Sequence, residues 1–199
     1  MSIADDHYPA GTVRAVMTTD LVTPATAQAL QARLVATEGQ GVFDPAARAV
    51  LALVCDRLVP QPDRSMPIDL VAIVEHKLAG GVGDGWRYDM MPGDVTAMRR
   101  GIVAIDASAK TWFWAGFADL DTMSCDLLLA AVQRGDVQPE IWRNLNPQRF
   151  FETLLVAVTE AYYAHPLAQE EIGYLGMADA HGWRDVGLGA RAPHEPVPL

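Results

Sequence analysis

Three times in this chain a capping side chain stands directly before a proline: Thr23-Pro24, Asp44-Pro45 and Asn146-Pro147. A short polar side chain at that place accepts a hydrogen bond from an N–H of the first turn. A proline next to it has no N–H to waste and a backbone angle already suited to a helix. Each pair precedes a run of good helix formers, so the chain is committed to helices at these points. Residues 25–35 follow the first pair. After the second, Ala46, Ala49, Val50, Leu53, Val54 and Leu58 recur at three- and four-residue steps and predict a buried stripe, which Pro60 and Pro62 end. After the third, Phe151, Leu154, Leu155, Val158 and Tyr162 form the corresponding stripe.

Further helices are predicted between these anchors. Residues 68–78 read as an apolar helix closed by Gly80 and Gly81. Residues 94–114 carry Val95, Met98, Ile102, Ile105 and Trp112 on one side. Leu120 and Asp121 read as staple residue and cap for a helix over 122–133 with Leu127, Leu128 and Val132 inward. No segment alternates with period two for long enough to claim a strand. The expectation is an all-α protein: an N-terminal arm (1–22), a single helical domain of five to seven helices (23–173) and an irregular C-terminal tail (174–199).

At 199 residues, 50% of them hydrophobic and 20% charged, the composition is that of a globular protein. A net charge of −10 argues against a nucleic-acid binder or an anionic-lipid docking module. Cys55 and Cys125 have no Cys or His at zinc spacing and read as small buried hydrophobes inside helices. No run approaches the ~20 apolar residues of a membrane span, and the sequence as written shows no leader. The expectation is a cytoplasmic chain without direct membrane insertion, or a periplasmic one if a partner supplies the export signal.

The search for chemistry is mostly negative. The glycine-rich loop over 80–93 follows a helix rather than a strand and lacks the Lys and Ser/Thr of a phosphate cradle, so it reads as a connector. Its Trp86, Arg87 and Tyr88 are candidate surface anchors. The histidines His7, His76, His165, His181 and His194 form no metal or base motif; His76 reads as solvent-facing and His165 as a helix cap. Glu160, Glu170 and Glu171 read as a solvated face. Trp86, Trp142 and Trp183 fall in or beside loops, where aromatics are common at interfaces. Catalytic, cofactor-binding and metal-binding residues are all expected to be absent.

The segment 150–187 ends an apolar helix with Tyr162, Tyr163, His165 and Pro166, then runs into a Gly/Trp/Tyr tail. The core-forming stripes are expected to end near Tyr162. Deleting 174–199 is therefore expected to spare most of the helix content and to weaken partner binding. Tyr163, His165, Pro166, Tyr174 and Trp183 join Trp86, Arg87 and Tyr88 as candidate interface residues.

Some runs carry more than composition: Asp56-Arg57-Leu58-Val59-Pro60 at a helix exit, the helix from Gly101 to Asp106, and Phe150-Phe151 through Tyr162-Tyr163, His165-Pro166 and Ile172-Gly173. In this order, from about Phe43 to Gly187, the chain resembles the gluconate 2-dehydrogenase subunit 3 family. The resemblance implies a non-catalytic small subunit that binds and stabilises or matures a large flavoprotein of the glucose-methanol-choline type. That partner carries the FAD and oxidises a sugar, sugar acid or other alcohol, and a cytochrome c subunit can take the electrons. Many relatives carry a twin-arginine leader and continue Gly-Gly-Pro after the last block, where this chain reads Gly176-Met177-Ala178-Asp179. The competing expectation is a stand-alone helical enzyme or ligand-binding protein with a pocket near Tyr162, Tyr163 and His165.

Overall fold

The computed structural model describes residues 8–35, 40–81, 91–177, 179, 180, 182, 187, 192 and 195. The protein is all-α. Its helices are α1 (Thr12–Val16), α2 (Pro24–Leu34), α3 (Pro45–Leu58), α4 (Leu70–Ala79), α5 (Asp94–Phe113), α6 (Thr122–Arg134), α7 (Pro147–Tyr163) and α8 (Pro166–Glu171), with a 3-10 turn at Phe117–Asp119 before α6. Six of them run to seven residues or more, and no strand occurs among the described residues. None of these helices is long and apolar enough to cross a membrane.

The helix starts behave as their sequences dictate. Thr23, Asp44 and Asp121 occupy cap positions, and their side-chain oxygens accept from the N–H groups of Thr26, Ala47 and Ser124. Asp69 caps α4 in the same way by accepting from Ala72. Asn146 Oδ1 accepts from Arg149 N at 3.0 Å, ahead of Pro147.

Contacts divide the chain into two compact units, Thr37–Ala161 and Met1–Ala36 together with Tyr162–Leu199. In the first unit α3 packs against α4, α5 and α6, and α5 also packs on α4, α6 and the 3-10 turn. A helix with three neighbours buries a wide face. This corrects the α3 stripe: Ala46 and Ala49 are exposed, while Leu51 and Cys55 join Val50 and Val54 inside. On α6, Leu128 and Val132 are buried as expected, but Leu127 points out and is 53% exposed.

Gly101 on α5 has a definite task. A Cβ there would overlap the ring of Phe150, which is fully buried. The missing side chain lets the first turn of α7 lie against α5. Trp142 lies against the same ring, with centroids 5.7 Å apart, and its Nε1 donates to Ser108 Oγ on α5 at 3.1 Å. Trp142 is therefore loop-borne, as expected, but buried in the core and not an interface anchor.

The second unit unites segments that the sequence reading kept apart as arm and tail. Val13, Val16, Val22 and Leu175 form one buried cluster, with Tyr8, Leu21, Ala27 and Met177 packed around it. The core stripes thus continue beyond Tyr162. Ala180 N donates to Leu21 O at 2.9 Å. Asp179 accepts from Thr23 N at 2.8 Å and from the Thr26 hydroxyl at 2.8 Å, which ties the tail to the start of α2.

Candidate functional site

A catalytic site would be built from buried titratable groups, so the role of each such group decides what chemistry is open. Glu75 lies on α4, a helix buried on most sides, and is fully buried itself. An unpaired carboxylate there would be prohibitively costly. Its Oε1 accepts from Phe43 N at 3.0 Å, and the Arg48 guanidinium faces its Oε2. Glu75 thus fastens the chain leading into α3, and both its oxygens are engaged.

Glu170, expected on a solvated face, is buried. Helix α1 begins at Gly11 with no side-chain cap of its own. Glu170 supplies one from 159 residues away: Oε2 accepts from Gly11 N at 2.9 Å and Oε1 from Val13 N at 3.1 Å, with Arg14 Nε 3.5 Å from the same oxygen. An anion at the positive end of a helix, satisfying its orphan donors, is a structural clamp. Glu171 accepts from the Tyr162 hydroxyl at 2.5 Å. Glu171 is half-buried, and Glu160 is exposed and paired with Lys77 at 2.5 Å.

His165 takes the role of helix cap. It precedes Pro166 at the start of α8, and its Nδ1 accepts from Leu167 N at 3.3 Å. A ring nitrogen that accepts there leaves the neutral proton on Nε2. Cys55 and Cys125 are both buried and free. Burial, helped by Asp69, pushes the Cys55 thiol up to about 12, and burial likewise raises Cys125. Neither is a thiolate nucleophile near neutral pH. Among the described residues no group of three or more His, Cys, Asp or Glu could hold a metal ion.

The predicted interface residues fare unevenly. Tyr163 and Tyr174 are about half exposed at 48% and 46%, while Pro166 is buried at the start of α8. The Tyr163 ring meets Tyr162 edge-on at 5.1 Å, and the Tyr174 ring folds back onto Gly176. Trp86, Arg87, Tyr88 and Trp183 lie outside the described residues, as do His7, His181 and His194. His76 is on the surface, as expected.

Sequence reasoning missed a set of exposed apolar side chains around the α5–α6 turn: Trp114 at 93%, Met123 at 82% and Leu127 at 53%. A signal was present in Trp112-Phe113-Trp114-Ala115-Gly116, where three aromatics meet a helix end and cannot all face one core.

The gluconate 2-dehydrogenase subunit 3 family matches the chain over residues 45–185. The chain belongs to that family. No curated protein and no solved structure matches it. The family's description, gluconate 2-dehydrogenase subunit 3, names a subunit of a multi-subunit dehydrogenase. The residues carrying the family pattern can now be given their tasks. Gly101 admits Phe150, Asp106 Oδ1 accepts from Phe117 N at 2.9 Å, and Arg57 grips Asp126 through two bonds of 2.8 and 3.0 Å. In this subunit 3 chain the pattern encodes packing.

Proposed function

We propose that this chain is the non-catalytic small subunit of an FAD-dependent dehydrogenase, and that it binds and stabilises, or matures, the large flavoprotein. The partner would hold the FAD and oxidise a CH–OH group of a sugar, sugar acid or other alcohol. Hydride would pass from the substrate carbon to the flavin, with electrons leaving through a further subunit such as a cytochrome c. The observation that carries this reading is the family match over residues 45–185. It is supported by the engagement of Glu75, Glu170 and His165 in helix capping and chain fastening, which gives each a reason to be buried without catalysis.

The test is to express the large flavoprotein with and without this chain and to read soluble yield, flavin absorbance and turnover. Co-expression is expected to raise all three. A large subunit that is soluble, flavin-loaded and fully active when alone refutes the stabilising role.

A further inference from the structure

Trp114 is the C-cap of α5 and adopts a left-handed conformation, with φ 59° and ψ 20°. Among the described residues it is the one non-glycine residue with positive φ. Glycine is favoured at such a position, because a Cβ there crowds the following carbonyl. An indole at 93% exposure adds a second cost, since its apolar surface stays in water.

The turn that presents this side chain is firmly held. Trp114 N donates to Lys110 O at 3.2 Å. Beneath it Phe117 is fully buried, with its N–H on Asp106 Oδ1, while Lys110 Nζ lies 2.6 Å from Asp106 Oδ2. An aromatic on a rigid stub loses little entropy on binding, which suits it to anchor an interface. Beyond the turn, Met123 and Leu127 project from one side of α6, one helical turn apart. Val103 is 63% exposed and lies about three turns before Trp114 on α5. Exposed apolar side chains are ordinary one at a time. Four on two packed helices, one held in a strained backbone, are more than isolated exposure and call for a cover.

Charge selects the occupant. Lys110 is paired with Asp106 and Arg57 with Asp126, so these four cancel. Asp119 and Asp121 beside the turn are exposed and leave the rim acidic. A second copy would set acid against acid, and an anionic lipid surface would be repelled in the same way. We propose that Trp114, Met123 and Leu127 form the docking face for the dehydrogenase's large subunit. Trp114 inserts into an apolar pocket of that subunit, which is ringed by Lys and Arg. This rests on the accessory-subunit reading and adds the face that reading lacks.

Trp114→Gly separates binding from folding, because glycine removes the indole and relaxes the backbone together. The full chain, wild type, Trp114→Gly or Leu127→Glu, is co-expressed with a tagged large subunit from the same genome, and its affinity is read from dissociation of the purified complex on dilution. Melting and light scattering are measured on each chain alone. Wild type is expected to bind, Trp114→Gly to bind on the order of 30-fold more weakly, and its melting temperature to stay level or rise. Leu127→Glu should weaken binding without unfolding the chain. Equal binding by wild type and both variants overturns the docking face while leaving the accessory role standing. A wild type that does not bind the large subunit overturns both. A wild type that dimerises alone through Trp114 assigns the face to a second copy and overturns the proposal.

Discussion

Replacing Gly101 by Ala sets two known effects against each other, and the structure says which wins. In an exposed helix interior the change would stabilise by about 1 kcal/mol, since alanine is the better helix former. Here the new methyl overlaps the Phe150 ring. That ring is fully buried and has Trp142 against it, and Trp142 is itself held through Ser108 on α5. The ring has nowhere to withdraw without moving the start of α7. Overpacking of this kind costs about 1–3 kcal/mol and occasionally more. We expect a net loss of about 1–2 kcal/mol after the propensity gain. For a chain of this size that lowers the melting temperature by about 2–8 °C. Urea unfolding should be followed by far-UV dichroism and by tryptophan fluorescence, to which Trp142 contributes. Phe150→Leu makes room, so in the double variant the alanine penalty should shrink by ~1 kcal/mol or more. A Gly101→Ala protein as stable as wild type, with strictly additive behaviour in the double variant, would refute the packing of Phe150 on Gly101.

Removal of residues 174–199 is now expected to unfold α1 and α2, because Leu175 leaves the Val13–Val16–Val22 cluster and Asp179 leaves Thr23 and Thr26. Loss of helical dichroism and rapid proteolysis before residue 36 would show it, and a truncated chain with unchanged dichroism would contradict it. The Asp179 carboxyl is held below its ordinary 3.8 by the Thr23 N–H and the Thr26 hydroxyl. A depressed folded-state value stabilises above the unfolded one, and that stability disappears as pH falls through the folded value. Asp179→Asn should therefore destabilise the protein at neutral pH and show a shallower loss on acidification from about pH 5 to about pH 3. Melting curves across that range measure it. Cys55 and Cys125, buried with raised thiol values, should resist a thiol reagent in the native protein and react only on addition of denaturant.

The helices were legible because their signals are local. A capping side chain beside Pro24, Pro45 or Pro147 works through the next three residues, and nothing distant can undo it. Facing was harder. Val50-Leu51-Ala52-Leu53-Val54-Cys55 offers apolar side chains at almost every step, so period alone cannot say which line is inside. Three neighbours packed on α3 decide it for Leu51 and Cys55. Leu127-Leu128-Leu129 poses the same ambiguity, and Leu127 is left outside. The buried carboxylates were not legible at all. Nothing near Glu170 announces that Gly11 and Val13, 159 and 157 residues away, will need an acceptor.

The tail takes part in long-range contacts of the same kind. The Asp179 carboxylate bonds Thr23 and Thr26. Those two threonines lie before residue 45, where the family match begins. The same is true of Gly11 and Val13, which Glu170 caps, and of Arg33, whose Nη1 donates to Ala164 O at 3.1 Å. A segment outside the matched span thus supplies the surface on which the matched span's last residues fold. Asp179 therefore has a task inside the chain's own fold, at the start of α2. An arm that folds against its own tail also leaves that part of the tail unavailable as a strap. Among the described residues the proposed partner contact then rests on the α5–α6 turn and the indole of Trp114.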